Sequence, residues 1–262
     1  MSLVGSFYTN VTLCGPEQAP VAEYLASRNR QTIVSPTVEG VTVVYDAITE
    51  SQDPDTLTSL GRELSAQLDC SALAALCHDD DVLWLQLHVD GRLVDEYDST
   101  PGYFDDVPPS GPEGGDAAAL CTAFGAEERV GKVEGILRRG QGFGGYTFAQ
   151  QRHDALAGEL GIPPALVTVG YDYLTRGEVP AGFNPADFVH TGTPPQPLAQ
   201  PTMGPFGPGG PQAGPPPGVG HIHIGPAPGA GCCGCLVAPL LVPLMGLWSA
   251  LVMRRARKIS EE

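Results

Sequence analysis

The chain has 262 residues, 30 acidic and 14 basic, with a formal net charge of −16 at pH 7 and 60 positions taken by glycine (34) or proline (26). A carboxylate surplus without a Lys/Arg stripe excludes nucleic acid as the expected partner, because phosphate binding needs clustered cations. A basic protein, a cation or plain solubility are the readings that fit, and about 190 residues ahead of the glycine- and proline-rich part suffice for one core.

The elements follow in chain order. Phe7, Thr9, Val11 and Leu13 alternate over Ser6 to Leu13 and predict a strand with one buried face. Pro16 and Glu17 open a helical pattern through Ala19, Ala22, Leu25 and Ala26. Thr32–Ser35 and Val41–Ile48 are β-branched runs, and Glu39-Gly40 between them marks a hairpin. Asp53 reads as an N-cap and Pro54 as the first residue of a second helix, whose apolar face is Leu57, Leu60, Leu64 and Leu68. Strands are predicted at Leu73–Cys77, Val82–Val89 and Arg92–Tyr97, the last two joined across Asp90-Gly91. The order β-α-β-β-α-β-β-β over residues 1–106 predicts an α+β sandwich, a mainly antiparallel sheet with two helices on one face. Residues 107–190 change character: Asp116–Phe124, Val130–Arg139 and Thr147–Leu160 look helical and predict an extension packed on the sheet of the same domain.

Beyond the folded part, 23 of the 41 residues in 191–231 are proline or glycine. Such a segment buries too little apolar surface to offset its chain entropy, and it is expected to be a disordered linker. The run Cys235–Met253 then carries no charge. As a helix it would span about 28 Å, the hydrocarbon thickness of a bilayer. A transmembrane segment is therefore expected over 232–253, ahead of a basic tail at 254–262, with lipid as the partner of residues 235–253. Arg254–Lys258 would lie in the cytoplasm by the positive-inside rule. The N-terminus, however, shows neither a basic n-region nor a long apolar stretch, so no secretory signal is expected. A tail anchor with the acidic domain on the cytoplasmic side meets that condition.

Cysteines fall in two groups. Cys14, Cys70, Cys77 and Cys121 sit among apolar neighbours and lack the spacing of a disulfide framework or a zinc site. Cys232, Cys233 and Cys235 crowd the start of the apolar run, where juxtamembrane cysteines are substrates for acylation. Small residues with cysteine, an apolar span and a terminal Arg cluster over 229–258 resemble bacterial Cys-containing C-terminal sorting tags of surface proteins. That resemblance implies processing at Cys232, Cys233 or Cys235, on a protein whose domain is exported.

Chemistry-bearing residues concentrate between 79 and 106, where nine acids face one basic residue, Arg92. Asp79, Asp80 and Asp81 follow His78 between two predicted strands and offer oxygen ligands to a divalent cation. Their spacing is not that of a helix–loop–helix calcium loop. Asp95, Glu96, Asp98, Asp105 and Asp106, with Tyr103 and Phe104, form an acidic, aromatic edge suited to a protein partner. His88, out of phase with Leu83, Leu85 and Leu87, is expected to face solvent beside Gln86. Gly140–Gly145 matches G-x-G-x-x-G, but a predicted helix precedes it where the dinucleotide fingerprint requires a strand. Adjacent Cys77 and His78 point to opposite faces and make no catalytic pair. The expected function is a membrane-anchored acidic binding module of adaptor or immunity type, with no catalysis and no cofactor. The alternatives are a membrane-tethered, divalent-metal-dependent enzyme using His78 and Asp79–Asp81, or a surface protein carrying a sorting tag.

Overall fold

A computed structural model describes residues 5–104, 111–142 and 144–193. Asp105, Asp106, Phe143, the three cysteines near residue 233, the apolar run 235–253 and the basic tail lie outside the described residues. Among the described residues, no helix is long and apolar enough to cross a membrane.

The chain folds as an α+β domain on one eight-stranded sheet. Its first part runs β1 (Tyr8–Cys14), α1 (Gln18–Ser27), β2 (Thr32–Val34), β3 (Val41–Asp46), α2 (Pro54–Gln67), β4 (Ser71–His78), β5 (Val82–Val89) and β6 (Arg92–Asp98). The second part adds β7 (Glu113–Gly114), α3 (Ala117–Phe124), α4 (Val130–Arg138), α5 (Ala149–Glu159), α6 (Pro164–Val167), α7 (Tyr171–Thr175) and β8 (Val189–Thr191). The strand order is β7-β6-β5-β4-β1-β3-β2-β8, and every pairing is antiparallel.

Turn chemistry sets the hairpins. Glu39 and Gly40 (φ 52° and 78°) and Asp90 and Gly91 (φ 51° and 73°) take the left-handed pairs that match strand twist. The β4–β5 connection does the same with two aspartates, Asp79 (φ 51°) and Asp80 (φ 58°), a conformation that short polar side chains tolerate. Asp53 stands at the N-cap of α2, but its carboxylate accepts from Thr56 Oγ1 and not from a backbone N–H.

Both faces of the sheet are covered. Leu57, Leu60 and Leu64 of α2 and Val21 and Leu25 of α1 pack on Val11, Leu13, Val44, Ala74 and Trp84. On the other face Leu120, Val133, Leu137, Leu156 and Leu166 of the second part pack on Tyr8, Ile33, Tyr45, Leu85 and Tyr97. This corrects the half-buried reading of β1, which is buried on both sides from Tyr8 to Leu13. The polar strand positions that resembled a solvent face are bonded to the covering segment. Asn10 Nδ2 donates to the Val167 and Val169 carbonyls (2.7 and 3.1 Å), and Tyr45 Oη donates to the Leu166 carbonyl (2.7 Å). Tyr8 Oη meets His153 Nδ1 at 3.0 Å.

The second part is therefore woven into the domain, and it also supplies both edge strands. Thr191 in β8 bonds Thr32 across the sheet at 2.6 Å, so ordered pairing runs one residue past the expected linker boundary. Arg152, fully buried, ties three elements together. Its Nη1 lies 2.8 Å from Tyr97 Oη and 3.0 Å from the Ile136 carbonyl, at the negative end of α4, and its guanidinium stacks 4.8 Å over the Tyr146 ring.

His88 is the clearest reversal. It is fully buried, because α2 covers this face of β5. Gly61 of α2 makes the room: a Cβ there would lie 2.9 Å from His88 Cδ2. Burial lowers the His88 pKa to about 4, so the ring is neutral.

Candidate functional site

The 78–81 turn sits at the end of the sheet where β1 begins and β6 finishes. Three segments converge on it. Ser6, just before β1, donates from its backbone N to Asp80 Oδ2 (3.1 Å), and its Oγ lies 3.0 Å from both that oxygen and Gln150 Oε1. Ala149 N, opening α5, donates to the Asp80 carbonyl at 2.6 Å. Thr100, just after β6, donates through Oγ1 to the Asp81 carbonyl at 2.8 Å.

Aromatic rings gather on the same turn. His78 meets Phe7, Tyr103 and Phe104 edge-on at centroid distances of 5.0, 6.0 and 4.9 Å. Among the described residues the exposed large aromatics are Phe7, Tyr103 and Phe148, and the first two meet His78 in this turn. Phe148 precedes Ala149, whose backbone N bonds the turn. Exposed rings brought together from two separate chain segments are what a partner-binding face requires.

His78 is held in one tautomer. Gln52 Nε2 donates to the Cys77 carbonyl (2.7 Å), which leaves Gln52 Oε1, 2.6 Å from His78 Nδ1, to accept. Nδ1 therefore carries the proton and Nε2 the lone pair. Burial lowers the His78 pKa, against the opposing pull of Asp79 and Asp81, so the ring is uncharged at neutral pH.

The three successive aspartates diverge. Asp79 is exposed, Asp80 turns inward to Ser6, and Asp81 Oδ2 accepts from Tyr103 Oη at 3.1 Å. Burial, then the bond to Asp81, raise the Tyr103 hydroxyl pKa to about 12, so it stays a donor. Among the described residues no group of three or more His, Cys, Asp or Glu side chains is arranged to hold a metal ion.

The β6 acids are engaged by the fold. Asp95 accepts from Asp116 N (2.8 Å), Glu96 Oε2 accepts from Gln86 Nε2 (2.8 Å), and Asp98 Oδ1 accepts from Thr100 N (2.9 Å). Asp95 and Glu96 lie on opposite sides of the strand by its alternation. Of the acidic edge read from sequence, the structure thus gathers Tyr103 and Phe104 with Asp79 and Asp81, and directs Asp95 and Glu96 elsewhere.

Beside Asp81 lies a cleft of about 420 Å³, walled by Tyr103, Thr100, Pro112, Gly140 and Gln141. Gln141 opens the glycine-rich loop, which follows α4 directly and so lacks the strand of a dinucleotide site. Its Nε2 makes a long contact, 3.5 Å, with the Asp80 carbonyl, while its Oε1 is buried without a partner. Sequence reasoning missed Phe7, Phe148 and Gln141, which stand 60 or more residues away from Asp79–Asp81 in the chain. Phe7, expected on the buried face of the first strand, instead lies just ahead of β1 and is 37% exposed.

Cys77 is fully buried against Tyr8, and burial raises its pKa to about 12. His153, on the far side of Tyr8, has its pKa pushed down to about 3 by burial. In comparisons with known proteins, no family model matches the chain, and neither a curated protein nor a solved structure matches it.

Proposed function

We propose that this protein is a membrane-anchored interaction module that captures a basic protein partner. The observation that supports this best is the convergence of exposed Phe7 and Tyr103 on one turn that also carries the Asp79 and Asp81 carboxylates. Aromatic anchors supply burial on binding, and the acids supply sign selection and steering. A chain of net charge −16 repels acidic partners and attracts basic ones at long range. The apolar run 235–253 would hold the domain at a bilayer through the Pro/Gly-rich tether, with Cys232, Cys233 and Cys235 as acylation sites that strengthen a span containing Pro239 and Pro243. Tethering raises the local concentration of the domain near membrane-bound targets.

The test uses the full chain in lipid nanodiscs and an immobilised lysine- and arginine-rich peptide. Retention should weaken with salt and with Asp79→Lys plus Asp81→Lys, and should survive the equal charge change Glu23→Lys plus Asp55→Lys on exposed positions of α1 and α2. Equal loss from both pairs would reduce the interaction to net charge and refute a dedicated face. For the anchor, flotation with liposomes should be lost when residues 232–262 are deleted; flotation that persists would refute it.

A further inference from the structure

We infer that the cleft beside Asp81 is the seat of an arginine side chain from the partner. This rests on the basic-partner reading above and names the chemistry it recognises. Two side-chain acceptor oxygens of the cleft, Asp81 Oδ1 and Gln141 Oε1, have no hydrogen-bond partner among the described residues. Asp81 Oδ2 is bonded to Tyr103, and no described residue reaches its Oδ1. Gln141 Oε1 is buried and unbonded, a state that costs free energy until a donor arrives. Two hydroxyl donors among the described residues of the cleft are already engaged: Tyr103 Oη by Asp81, and Thr100 Oγ1 by the Asp81 carbonyl.

A ligand that completes this set must be cationic, must carry several N–H donors fixed in a plane, and must tolerate an aromatic wall. A guanidinium has five donors in a rigid fork and stacks on rings. An ammonium is a compact, strongly hydrated point charge that cannot span Asp81 and Gln141 while lying flat on Tyr103. At about 420 Å³ the cleft has room for an arginine side chain. The ring of Tyr103, 36% exposed, is open to cation–π contact.

The experiment is a calorimetric titration of the full chain in nanodiscs with three capped peptides of equal length, in which glycine alternates with arginine, lysine or citrulline. The arginine peptide should bind about tenfold tighter than the lysine one, since desolvated stacking and a bidentate contact are worth about 1–2 kcal/mol together. Citrulline, which keeps the shape and loses the charge, should bind more weakly than either. Tyr103→Ala and Asp81→Asn should erase the preference of arginine over lysine. Gln141→Glu should tighten the arginine peptide several-fold, a gain that misfolding cannot imitate. Arginine and lysine peptides binding equally, and both lost on charge reversal at Asp79 and Asp81, would overturn the arginine seat and leave the acidic face standing. No tightening from Gln141→Glu would overturn this cleft as the seat. Failure of all three peptides to bind would overturn both proposals.

Discussion

Glu50 links the stability of the domain to pH in a way that can be worked from its surroundings. It lies in the turn between β3 and α2, and its Oε1 accepts from Tyr171 N at 2.6 Å, so it clasps the start of α7 to the sheet. Gly170 presses on it so closely that an added Cβ would collide with the carboxylate. Burial raises the Glu50 pKa from 4.5 to about 7, and nearby Asp172 adds to the shift against the lowering effect of the backbone N–H donors. The sign follows from proton uptake. Between pH 4.5 and about 7 the native chain holds a proton that the unfolded chain has released, so stability falls as pH rises through that window and levels off above it. At 1.36 kcal/mol per unit the loss is about 3 kcal/mol. Glu50→Gln keeps the acceptor oxygen for Tyr171 and removes the titration. Urea unfolding of both full chains in detergent, followed by near-ultraviolet circular dichroism from pH 5 to 8.5, isolates this group, because all other titrations cancel in the difference. The glutamine variant should match the wild type at low pH and exceed it by about 3 kcal/mol at high pH. A difference that stays flat, or that favours the wild type as pH rises, would refute the argument.

Other outcomes follow from the packing. Tyr45→Phe removes the donor to the Leu166 carbonyl and should cost about 1–3 kcal/mol in chemical denaturation, the range for a buried acceptor left unpaired. Gly61→Ala should destabilise the domain despite alanine's better helix propensity, because its Cβ meets His88 at 2.9 Å; in a His88→Ala background the penalty should disappear, and a cycle without coupling would count against the contact. A chain ending after residue 106 exposes the face carrying Tyr8, Ile33, Tyr45 and Tyr97, and should show no cooperative thermal transition. A cooperative melt of that fragment would mean the second part is dispensable for folding.

Much of the backbone was legible from local signals. The order of the first eight elements follows from period-2 and period-3.6 patterns, and the hairpins from Glu39-Gly40 and Asp90-Gly91, because turn geometry depends on residues that are neighbours in the chain. The leucine stripe of α2 named its buried face for the same reason. What faced the opposite side of the sheet was not legible. Asn10 and Tyr45 occupy polar strand positions there, yet both are buried, and His88, expected to face solvent, is buried on the α2 side. A polar group bonded to a distant carbonyl has the same composition as one bonded to water, and only the covering segment distinguishes them. Gly61 was the one local hint, since glycine on the apolar face of a helix costs stability unless something packs closely there.

The acidic character of the chain, its strand and helix order, and the aromatic and carboxylate residues after β6 are properties of the sequence by itself. Which carboxylates remain available for a partner is a tertiary fact. Asp95, Glu96 and Asp98 are engaged by Asp116, Gln86 and Thr100, whereas Asp79 and Asp81 belong to the turn on which the rings of residues 7 and 103 meet His78. Charge adds along a chain without regard to folding. Hydrogen-bond partners and exposed rings are assigned only when antiparallel pairing brings the start of β1, the end of β6 and the start of α5 to the same end of one sheet.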